Sequence, residues 1–530
     1  MAISGCHIIA GEYSREDNRT FTSVDPRRKA AGSVLFYNAT PQEVDRAVTA
    51  AATAFETTRH YPAHTLADFL DRVADEIEAV GDDLLQTADM ETGLGIPRLT
   101  SERARTTGQL RAFGKLLREG SYVEAIIDTA QPDRKPTPRP DIRRMLFPIG
   151  PVAVFSASNF PFAFSVAGGD TASAFAAGCP VIVKGHPGHP ATSELVGQAI
   201  THAVNTAGFP LGFFSLLQGE SIEVGQTLVQ HPKLEAVGFT GSLRAGRALF
   251  DLAARRLRPI PIYAEMSSVN PTILLQGAIA AGGDGLAEQL VASVTIGAGQ
   301  FCTNPGLILV QDAPESREFI ELVRQRMESR EPGVLLNANV ERGLTLAVEQ
   351  TLSHPGVRRL TGGTVVEGEG YCYANTVLQT TSAVFRSNKA LQAEHFGPVT
   401  LFVVCESLED LKATASSLHG SLTASIHARD DDLTAGGELA DLLREKAGRL
   451  IWNGFPTGVE VVYAMQHGGP YPATTAPAST SVGMTAIKRF MRPVAFQNMP
   501  QPLLPDALKD GNPLNIWRIV NDELTRTPVR

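Results

Sequence analysis

The sequence predicts an α/β fold in which parallel sheets are covered by helices. Short apolar runs alternate with amphipathic helical patterns in two regions of the 530-residue chain, one from Pro151 onward and one around residues 306–310, 399–405 and 449–452. This alternation is typical of βαβ units. Since a chain of this length exceeds what one hydrophobic core usually organises, we expect two or more domains.

The first 150 residues carry helical signals and one break. Thr40-Pro41-Gln42-Glu43 matches a helix N-cap followed by proline in the first turn, and it predicts helix within residues 41–92. Residues 131–140 contain four prolines and few apolar side chains. We therefore expect an extended connector there, close to a domain boundary.

In the first alternating region, candidate ligand-binding residues follow the predicted strands. Strands are predicted at residues 151–156, 180–184, 213–217 and 234–239, with helices ending at Gly178 and spanning 191–207. Ligands on parallel sheets bind beyond the carboxyl ends of the strands. One candidate lies at or just after the end of each predicted strand. In chain order they are Asn159, Lys184, Gly219 and Gly241.

The second region carries a cysteine in a presented position. Cys302 follows the helix-like run 285–297 and the glycines Gly297 and Gly299, where unpaired backbone amides could hold an oxyanion. Glu265 could serve as its base, because a thiol nucleophile needs a group that handles its protons. On these residues alone, a buried structural cysteine is as consistent with the pattern as a nucleophile.

Composition excludes several classes of partner. Lys and Arg total 47 against 56 Asp and Glu, a net charge of −9, and the basic residues are dispersed, so neither nucleic acid nor a membrane surface is expected as a partner. Five widely spaced cysteines argue against a disulfide framework and against a CxxC metal site, and we predict no metal. A cytoplasmic location is expected, since no window resembles a signal peptide or a membrane span.

The order of the motifs resembles the aldehyde dehydrogenase superfamily over nearly the whole chain. The motifs are Ser158-Asn159-Phe160-Pro161, Val183-Lys184, Gly238-Phe239-Thr240-Gly241-Ser242, Glu265, Gly299-Gln300-Phe301-Cys302 and Glu394-His395-Phe396-Gly397-Pro398. The resemblance implies a Rossmann-like cofactor-binding domain (1–130 and 150–265), an α/β catalytic domain that carries Cys302 (266–465), and small β oligomerisation elements (131–149 and 485–530). It also implies a homodimer or homotetramer.

The resemblance assigns roles to the candidate residues. Cys302 would be the nucleophile, Asn159 and the backbone amide of Cys302 would hold the oxyanion, and Glu265 would be the general base. The implied contacts with a nicotinamide dinucleotide are Lys184, Gly219, Gly225, Gly241, Ser242, Glu394 and Phe396. Helix capping explains Ser242 equally well, and the glycine pattern is a weak signal, with Ser221 standing where the family often has glycine.

One departure from the family favours NADP over NAD. NAD-preferring members carry an acidic residue three positions after the strand-end lysine, whereas this chain has Pro187. A carboxylate there would repel the 2′-phosphate of NADP, so its absence removes that barrier. NAD remains compatible with the sequence. His186 and His189 could lie near this ribose, although loop histidines are more often simply solvated.

Residues 164–170, 265–271 and 302–306 resemble the α-ketoglutaric semialdehyde dehydrogenase branch of the superfamily. The implied reaction is oxidation of this aldehyde to 2-oxoglutarate through a cysteine thiohemiacetal and thioester. Arg105, on a predicted helix over 102–117, would bind the remote carboxylate of the substrate. The implied tunnel walls are Phe160, Phe164 and Phe301. A solvated arginine and core phenylalanines are the structural alternatives.

Two other functions are compatible with the resemblance. The first is an NADP-dependent dehydrogenase of medium- or long-chain fatty aldehydes, which would call for an uncharged tunnel. The second is a non-catalytic structural protein that retains the fold. Retention of Cys302, Glu265, Asn159 and Lys184 together argues against the second, because a chain released from catalysis has no reason to keep all four.

Overall fold

Three large sheets and two short ribbons organise the chain in the computed structural model, which describes residues 2–529. The strands are β1 (His7–Ile9), β2 (Glu12–Ser14), β3 (Thr20–Phe21), β4 (Val24–Asp25), β5 (Ala30–Ala31), β6 (Phe36–Tyr37), β7 (Ile126–Asp128), β8 (Ile142–Pro148), β9 (Val152–Phe155), β10 (Val181–Lys184), β11 (Phe214–Leu217), β12 (Ala236–Thr240), β13 (Ile262–Glu265), β14 (Pro271–Leu274), β15 (Leu307–Gln311), β16 (Arg358–Thr361), β17 (Thr376–Thr381), β18 (Val399–Cys405), β19 (Ser421–His427), β20 (Ala447–Trp452), β21 (Met491–Gln497), β22 (Arg518–Val520) and β23 (Glu523–Thr525).

Helices connect and cover these strands. They are α1 (Pro41–Thr58), α2 (Ala63–Ala79), α3 (Asp82–Thr92), α4 (Ile96–Glu119), α5 (Gly169–Ala177), α6 (Pro190–Thr206), α7 (Ile222–Gln230), α8 (Leu243–Ala254), α9 (Gln276–Thr295), α10 (Pro314–Ser329), α11 (Ala338–Leu352), α12 (Ser382–Ser387), α13 (Leu408–Ser416) and α14 (Leu433–Leu443). The predicted α/β class is confirmed.

The first sheet has the strand order β13-β12-β9-β10-β11-β1-β2. Strands β9 to β13 are parallel, and β1 and β2 add an antiparallel edge. From β9 the chain runs outward through β10 and β11, and then returns to the other side of β9 to form β12 and β13. Such a reversal opens a crevice at the carboxyl ends of β9 and β12, where ligands of doubly wound sheets bind.

The second sheet has the order β16-β17-β18-β15-β14-β19-β20 and is parallel except for β16. The segment between β13 and β14 links the first sheet to the second, and the segment between α9 and β15 carries Cys302. An ion pair of 2.7 Å between Arg489 and Asp170 joins the chain after β20 to α5. Both of its side chains are almost fully buried, so it fixes the C-terminal segment against the first sheet.

The third sheet has the order β21-β8-β7-β22-β23. Strand β8 pairs with β21 along seven residue pairs, from Ile142 with Gln497 to Pro148 with Met491. This sheet contains residues from both predicted oligomerisation elements, and it begins at Ile126, before the predicted boundary at residue 131. The division into domains stays a prediction.

Local signals placed α1 correctly. It begins at Pro41, and Thr40 and Glu43 form the capping box that the sequence predicted. Helix α4 extends six residues before the predicted start at residue 102 and ends at Glu119. Within residues 2–529 no helix combines the length and the apolarity that crossing a membrane requires.

Candidate active site

A cavity of about 350 Å³ lies at the carboxyl ends of β9, β12 and β13. It occupies the crevice where the strand order of the first sheet reverses. Helix α11 and the loop before β18 form its other wall. The predicted site residues that line it are Asn159, Gly241, Ser242, Glu265, Cys302, Glu394 and Phe396. Tertiary structure therefore brings together residues from the first and second sheets and their connecting loops.

A strained glycine turn presents Cys302. Gly297 and Gly299 have φ values of +56° and +68°, a backbone region that disfavours side chains. A Cβ on Gly299 would also overlap the backbone of Gly397. On the far side of the thiol, Asn270 donates from Nδ2 to the carbonyl of Cys302 at 2.8 Å. The loop is thus held on both sides of its cysteine.

Asn159 lies beside this loop and is buried. Its Nδ2 donates to the carbonyl oxygen of Gln300 at 2.9 Å. An amide nitrogen carries two hydrogens, so one N–H is left to bind an oxyanion formed at Cys302.

Glu265 ends β13 and is held through both carboxylate oxygens. Oε1 lies 3.1 Å from Nε2 of His467, and Oε2 accepts a hydrogen bond of 2.5 Å from the hydroxyl of Ser481. Burial acts to raise the pKa of Glu265. The charge of His467 and the hydrogen bonds from His467 and Ser481 outweigh the effect of burial, so the pKa is lowered. Glu265 is therefore ionised at neutral pH and can act as a base.

The Cys302 thiol lies in an environment that opposes its ionisation. Burial raises the pKa of Cys302 well above its usual value, and the carboxylates of Glu265 and Glu394 raise it further, while Arg105 acts in the opposite direction. Sγ is 3.6 Å from Nε2 of His467. The sulfur, the imidazole nitrogen and a Glu265 oxygen all lie within 4.8 Å of one another.

The predicted cofactor contacts divide into two groups. Gly241, Ser242, Glu394 and Phe396 line the cavity. Ser242 also caps α8 by accepting from the Ala245 amide at 3.3 Å, so the capping alternative is present in the structure. Burial raises the pKa of Glu394 to about 7, against hydrogen bonds from Ser267 and Ser268.

The other predicted contacts lie farther along the sheet edge. Lys184 ends β10, and its Nζ donates to the carbonyl oxygen of Gly219 at 2.5 Å. Burial lowers the pKa of Lys184 to about 8. An ammonium with three N–H donors and one carbonyl partner fits the hydroxyl or phosphate oxygens of a dinucleotide. Gly225 lies inside α7, where a Cβ would press on the ring of Phe155, so the glycine allows close packing between helix and strand. Its contact with the cofactor stays a prediction.

Two histidines surround Pro187. His189 is buried and its Nε2 bonds the carbonyl oxygen of Ala157 at 2.9 Å, so it is a structural contact rather than a solvated side chain. His186 stacks on it with ring centroids 5.4 Å apart. Nδ1 of His186 accepts from the Gly188 amide at 3.0 Å, which leaves its Nε2 as the donor.

Arg105 and the three predicted tunnel phenylalanines form one cluster. The guanidinium of Arg105 lies 6.0 Å from the ring centroid of Phe160 and 5.4 Å from that of Phe164. Phe160 and Phe301 meet edge to face at 5.3 Å. All four residues are partly exposed, which disfavours both the core and the solvated-surface alternatives. Phe301 directly precedes Cys302, so the cluster adjoins the thiol.

Arg98 is a second arginine of this cluster that the sequence motifs did not single out. Its guanidinium lies 5.1 Å from the ring of Phe160 and 4.9 Å from that of Phe301, and Nη2 donates to the Asn159 carbonyl at 2.8 Å. A signal for it existed, because Arg98 precedes Arg105 by seven residues, two helical turns, and so shares its helix face.

His467 and Ser481 were also missed. They lie in the long irregular segment between β20 and β21, and no local pattern marks them. They reach Glu265 across 202 and 216 residues of sequence.

The sequence profile of the "Aldehyde dehydrogenase family" matches residues 13–471. Alpha-ketoglutaric semialdehyde dehydrogenase 2 of Azospirillum brasilense is 46% identical over 521 residues, 98% of this chain and 99% of that protein. Alpha-ketoglutaric semialdehyde dehydrogenase of Acinetobacter baylyi is 45% identical over 523 residues, 99% of each chain.

Solved structures share the fold. Betaine aldehyde dehydrogenase of Staphylococcus aureus in complex with NAD⁺ superposes with a TM-score of 0.80 at 21% identity, covering 94% of this chain and 96% of that one. A variant of Thermus thermophilus 1-pyrroline-5-carboxylate dehydrogenase gives 0.77 at 23% identity, with 93% and 92% covered. The predicted fold is therefore confirmed.

Proposed function

Because the chain belongs to the aldehyde dehydrogenase family, we propose that it oxidises α-ketoglutaric semialdehyde to 2-oxoglutarate with a nicotinamide dinucleotide as oxidant. It is an oxidoreductase that acts on aldehydes. The observation that carries the substrate assignment is that two relatives with 45% and 46% identity, matching nearly end to end, are dehydrogenases of this semialdehyde. The fatty aldehyde alternative is not favoured by these relatives.

The first half of the reaction takes place at Cys302. Its thiolate adds to the aldehyde carbon, and the carbonyl oxygen becomes an oxyanion that the free N–H of Asn159 and the Cys302 backbone amide stabilise. Lys184, Ser242, Glu394 and Phe396 would hold the dinucleotide. When bound, its nicotinamide ring supplies the hydride acceptor through which the adduct becomes a thioester.

Glu265 serves the second half, the hydrolysis of the thioester. Its carboxylate takes a proton from water as the water oxygen attacks the acyl carbon, and the Cys302 thiolate leaves. The lowered pKa of Glu265 suits this role, because the group must be ionised to accept the proton. The product is a carboxylic acid.

Selectivity for the semialdehyde would come from the arginines of the phenylalanine cluster. Nε of Arg105 and Nη1 of Arg98 are buried and have no hydrogen-bond partner within residues 2–529. Such donors match a carboxylate at the far end of the substrate, whereas an alkyl chain would leave both of these N–H groups desolvated and without an acceptor.

The test is the ratio of kcat/KM for α-ketoglutaric semialdehyde to that for hexanal in the Arg105→Met variant. Loss of a charge-assisted hydrogen bond, about 1.5 to 3 kcal/mol, predicts a ten- to hundredfold lower kcat/KM for the semialdehyde. Activity on hexanal should be kept or improved. Arg111→Met on the same helix is the control, since Arg111 pairs at the surface with Glu78 and Asp75. Equal losses on both substrates would make Arg105 structural.

Further features complete the proposal. Pro187 carries no charge against a 2′-phosphate, which supports a preference for NADP. The third sheet, which combines strands from residues 126–148 and 491–525, supports assembly as a homodimer or homotetramer. We place the enzyme in the cytoplasm because its cysteines are free and widely spaced, as expected in a reducing compartment.

A further inference from the structure

The imidazole of His467 lies between the nucleophile and the base. Its Nε2 is 3.6 Å from Sγ of Cys302 and 3.1 Å from Oε1 of Glu265. The ring is fully buried, and the backbone N–H of His467 donates to the hydroxyl of Thr480 at 2.8 Å. One ring nitrogen therefore faces both reacting groups from a fixed position.

The surroundings of the ring indicate which nitrogen carries its proton. Nδ1 has no hydrogen-bond partner among the residues that the structure describes. A proton on Nδ1 would bury an unpaired donor, whereas a proton on Nε2 meets two acceptors. The ring thus presents an Nε2–H to Cys302 and Glu265.

We propose that His467 is a further catalytic residue, which donates its Nε2–H in turn to the Glu265 carboxylate and to the Cys302 thiolate. The proposal rests on Cys302 being the nucleophile of the proposed function, but not on which aldehyde is oxidised. In this proposal the same N–H stabilises whichever of the two groups, the Glu265 carboxylate or the Cys302 thiolate, is negatively charged.

The proton of the Cys302 thiol passes first to Glu265 and then to solvent. The S–H bond of Cys302 breaks as an O–H bond forms on Glu265, and the neutral carboxyl becomes a weaker acceptor. Nε2–H then turns to Sγ and stabilises the thiolate, which forms the C–S bond with the aldehyde. Once Sγ is uncharged, Glu265 releases its proton to solvent, and Nε2–H returns to the carboxylate before Glu265 accepts a proton from water.

The thiolate needs this donor because of the charges around it. The charged groups that act on Sγ besides the imidazole are Glu265, Glu394, Arg105 and Arg449. Burial and the two carboxylates oppose the anion. Arg449 is engaged by the carbonyls of Pro456 and Gly458. Nε2 of His467, at 3.6 Å, is within hydrogen-bond distance of the sulfur.

The test measures thiolate reactivity in the protein alone, without aldehyde or dinucleotide. Iodoacetamide is used between pH 6 and 11, so that the raised pKa of Cys302 is reached, and the alkylation rate at Cys302 is followed by mass spectrometry of its peptide. His467→Leu, which cannot donate, should lower the rate at pH 7 by about ten- to hundredfold and shift its midpoint to higher pH. His467→Met fills the ring's space without a donor and replaces the leucine variant if that variant does not fold.

Two further variants separate the possible roles. His467→Gln keeps an N–H donor but cannot accept a proton, so most of the rate should return. A glutamine variant as slow as the leucine variant would overturn the donor role in favour of proton acceptance, and unchanged profiles in every His467 variant would overturn any role at the thiol. His202→Gln, at an exposed histidine, is the control and should match the wild type. Turnover retained in Cys302→Ser would instead overturn the proposed function itself.

Discussion

Each carboxylate oxygen of Glu265 has its own partner: His467 for Oε1 and Ser481 for Oε2. The residue takes part in two chemical steps, formation of the thioester and its hydrolysis. Glu265→Gln should slow hydride transfer, because the Cys302 proton must then pass to solvent, and should slow thioester hydrolysis more, because it removes the base that activates water. We expect a burst of reduced dinucleotide equal to the number of sites, followed by a slow phase. Stopped-flow absorbance at the reduced nicotinamide band measures both. Full steady-state turnover in this variant would assign the base to another group.

Pro187 is the residue on which cofactor preference depends. Pro187→Glu should shift preference toward NAD, because a carboxylate at the ribose repels the 2′-phosphate of NADP. The measurement is the ratio of kcat/KM for NADP to that for NAD, which should fall in the variant. Pro187→Gln, uncharged and of similar size, separates charge from shape and should fall less. A wild type that strongly rejects NADP would show that another group reads the ribose.

At the scale of elements, the turn between α9 and β15 sets the position of the thiol. Gly299→Ala adds a methyl that meets the backbone of Gly397 at a φ of +68°, so the loop must shift. A displacement of about 1 Å can lower a rate about a hundredfold, and we expect a loss of that order in kcat. Gly285→Ala in α9 is the matched control, because its added Cβ meets nothing within 4 Å. Equal activity of both variants would contradict a positioning role for the turn.

Elements whose signals are local could be predicted, and those that depend on distant partners could not. Thr40 and Glu43 cap α1 through contacts three residues apart, and the βαβ strands have continuous apolar sequences. Strands β22 and β23 escaped prediction because their three-residue lengths carry almost no period, and β22 is defined by pairing with β7 almost 400 residues earlier.

At the scale of the whole molecule, an exposed apolar patch on the third sheet supports assembly. Ile519 and Leu524 are paired across β22 and β23, and they are 39% and 68% exposed. Trp517 extends the patch. Replacing Ile519 and Leu524 with lysine should shift the species seen by analytical ultracentrifugation toward the monomer. Leu433→Lys, on an exposed position of α14, is the control and should not change the sedimentation.

Site residues, like the elements, could be predicted from local sequence signals but not from contacts between distant parts of the chain. Cys302, Glu265 and Asn159, which line the cavity, could be singled out from the sequence because each stands in a motif with its own local sequence, and their roles stay predictions. His467 and Ser481 could not, because they reach Glu265 only when the segment after β20 folds back onto β13. Tertiary placement of this kind leaves no trace in periodicity or composition.

The late position of His467 and Ser481 in the chain has a consequence for synthesis. A ribosome that has produced β13 and the Cys302 loop has made the nucleophile and the base, but neither partner of the base. Arg489, which fastens this segment to Asp170, follows later still. A nascent or prematurely terminated chain therefore carries the thiol without the imidazole that would donate to it. Its chemistry switches on only after residues 467 and 481 have been synthesised and have folded back onto β13.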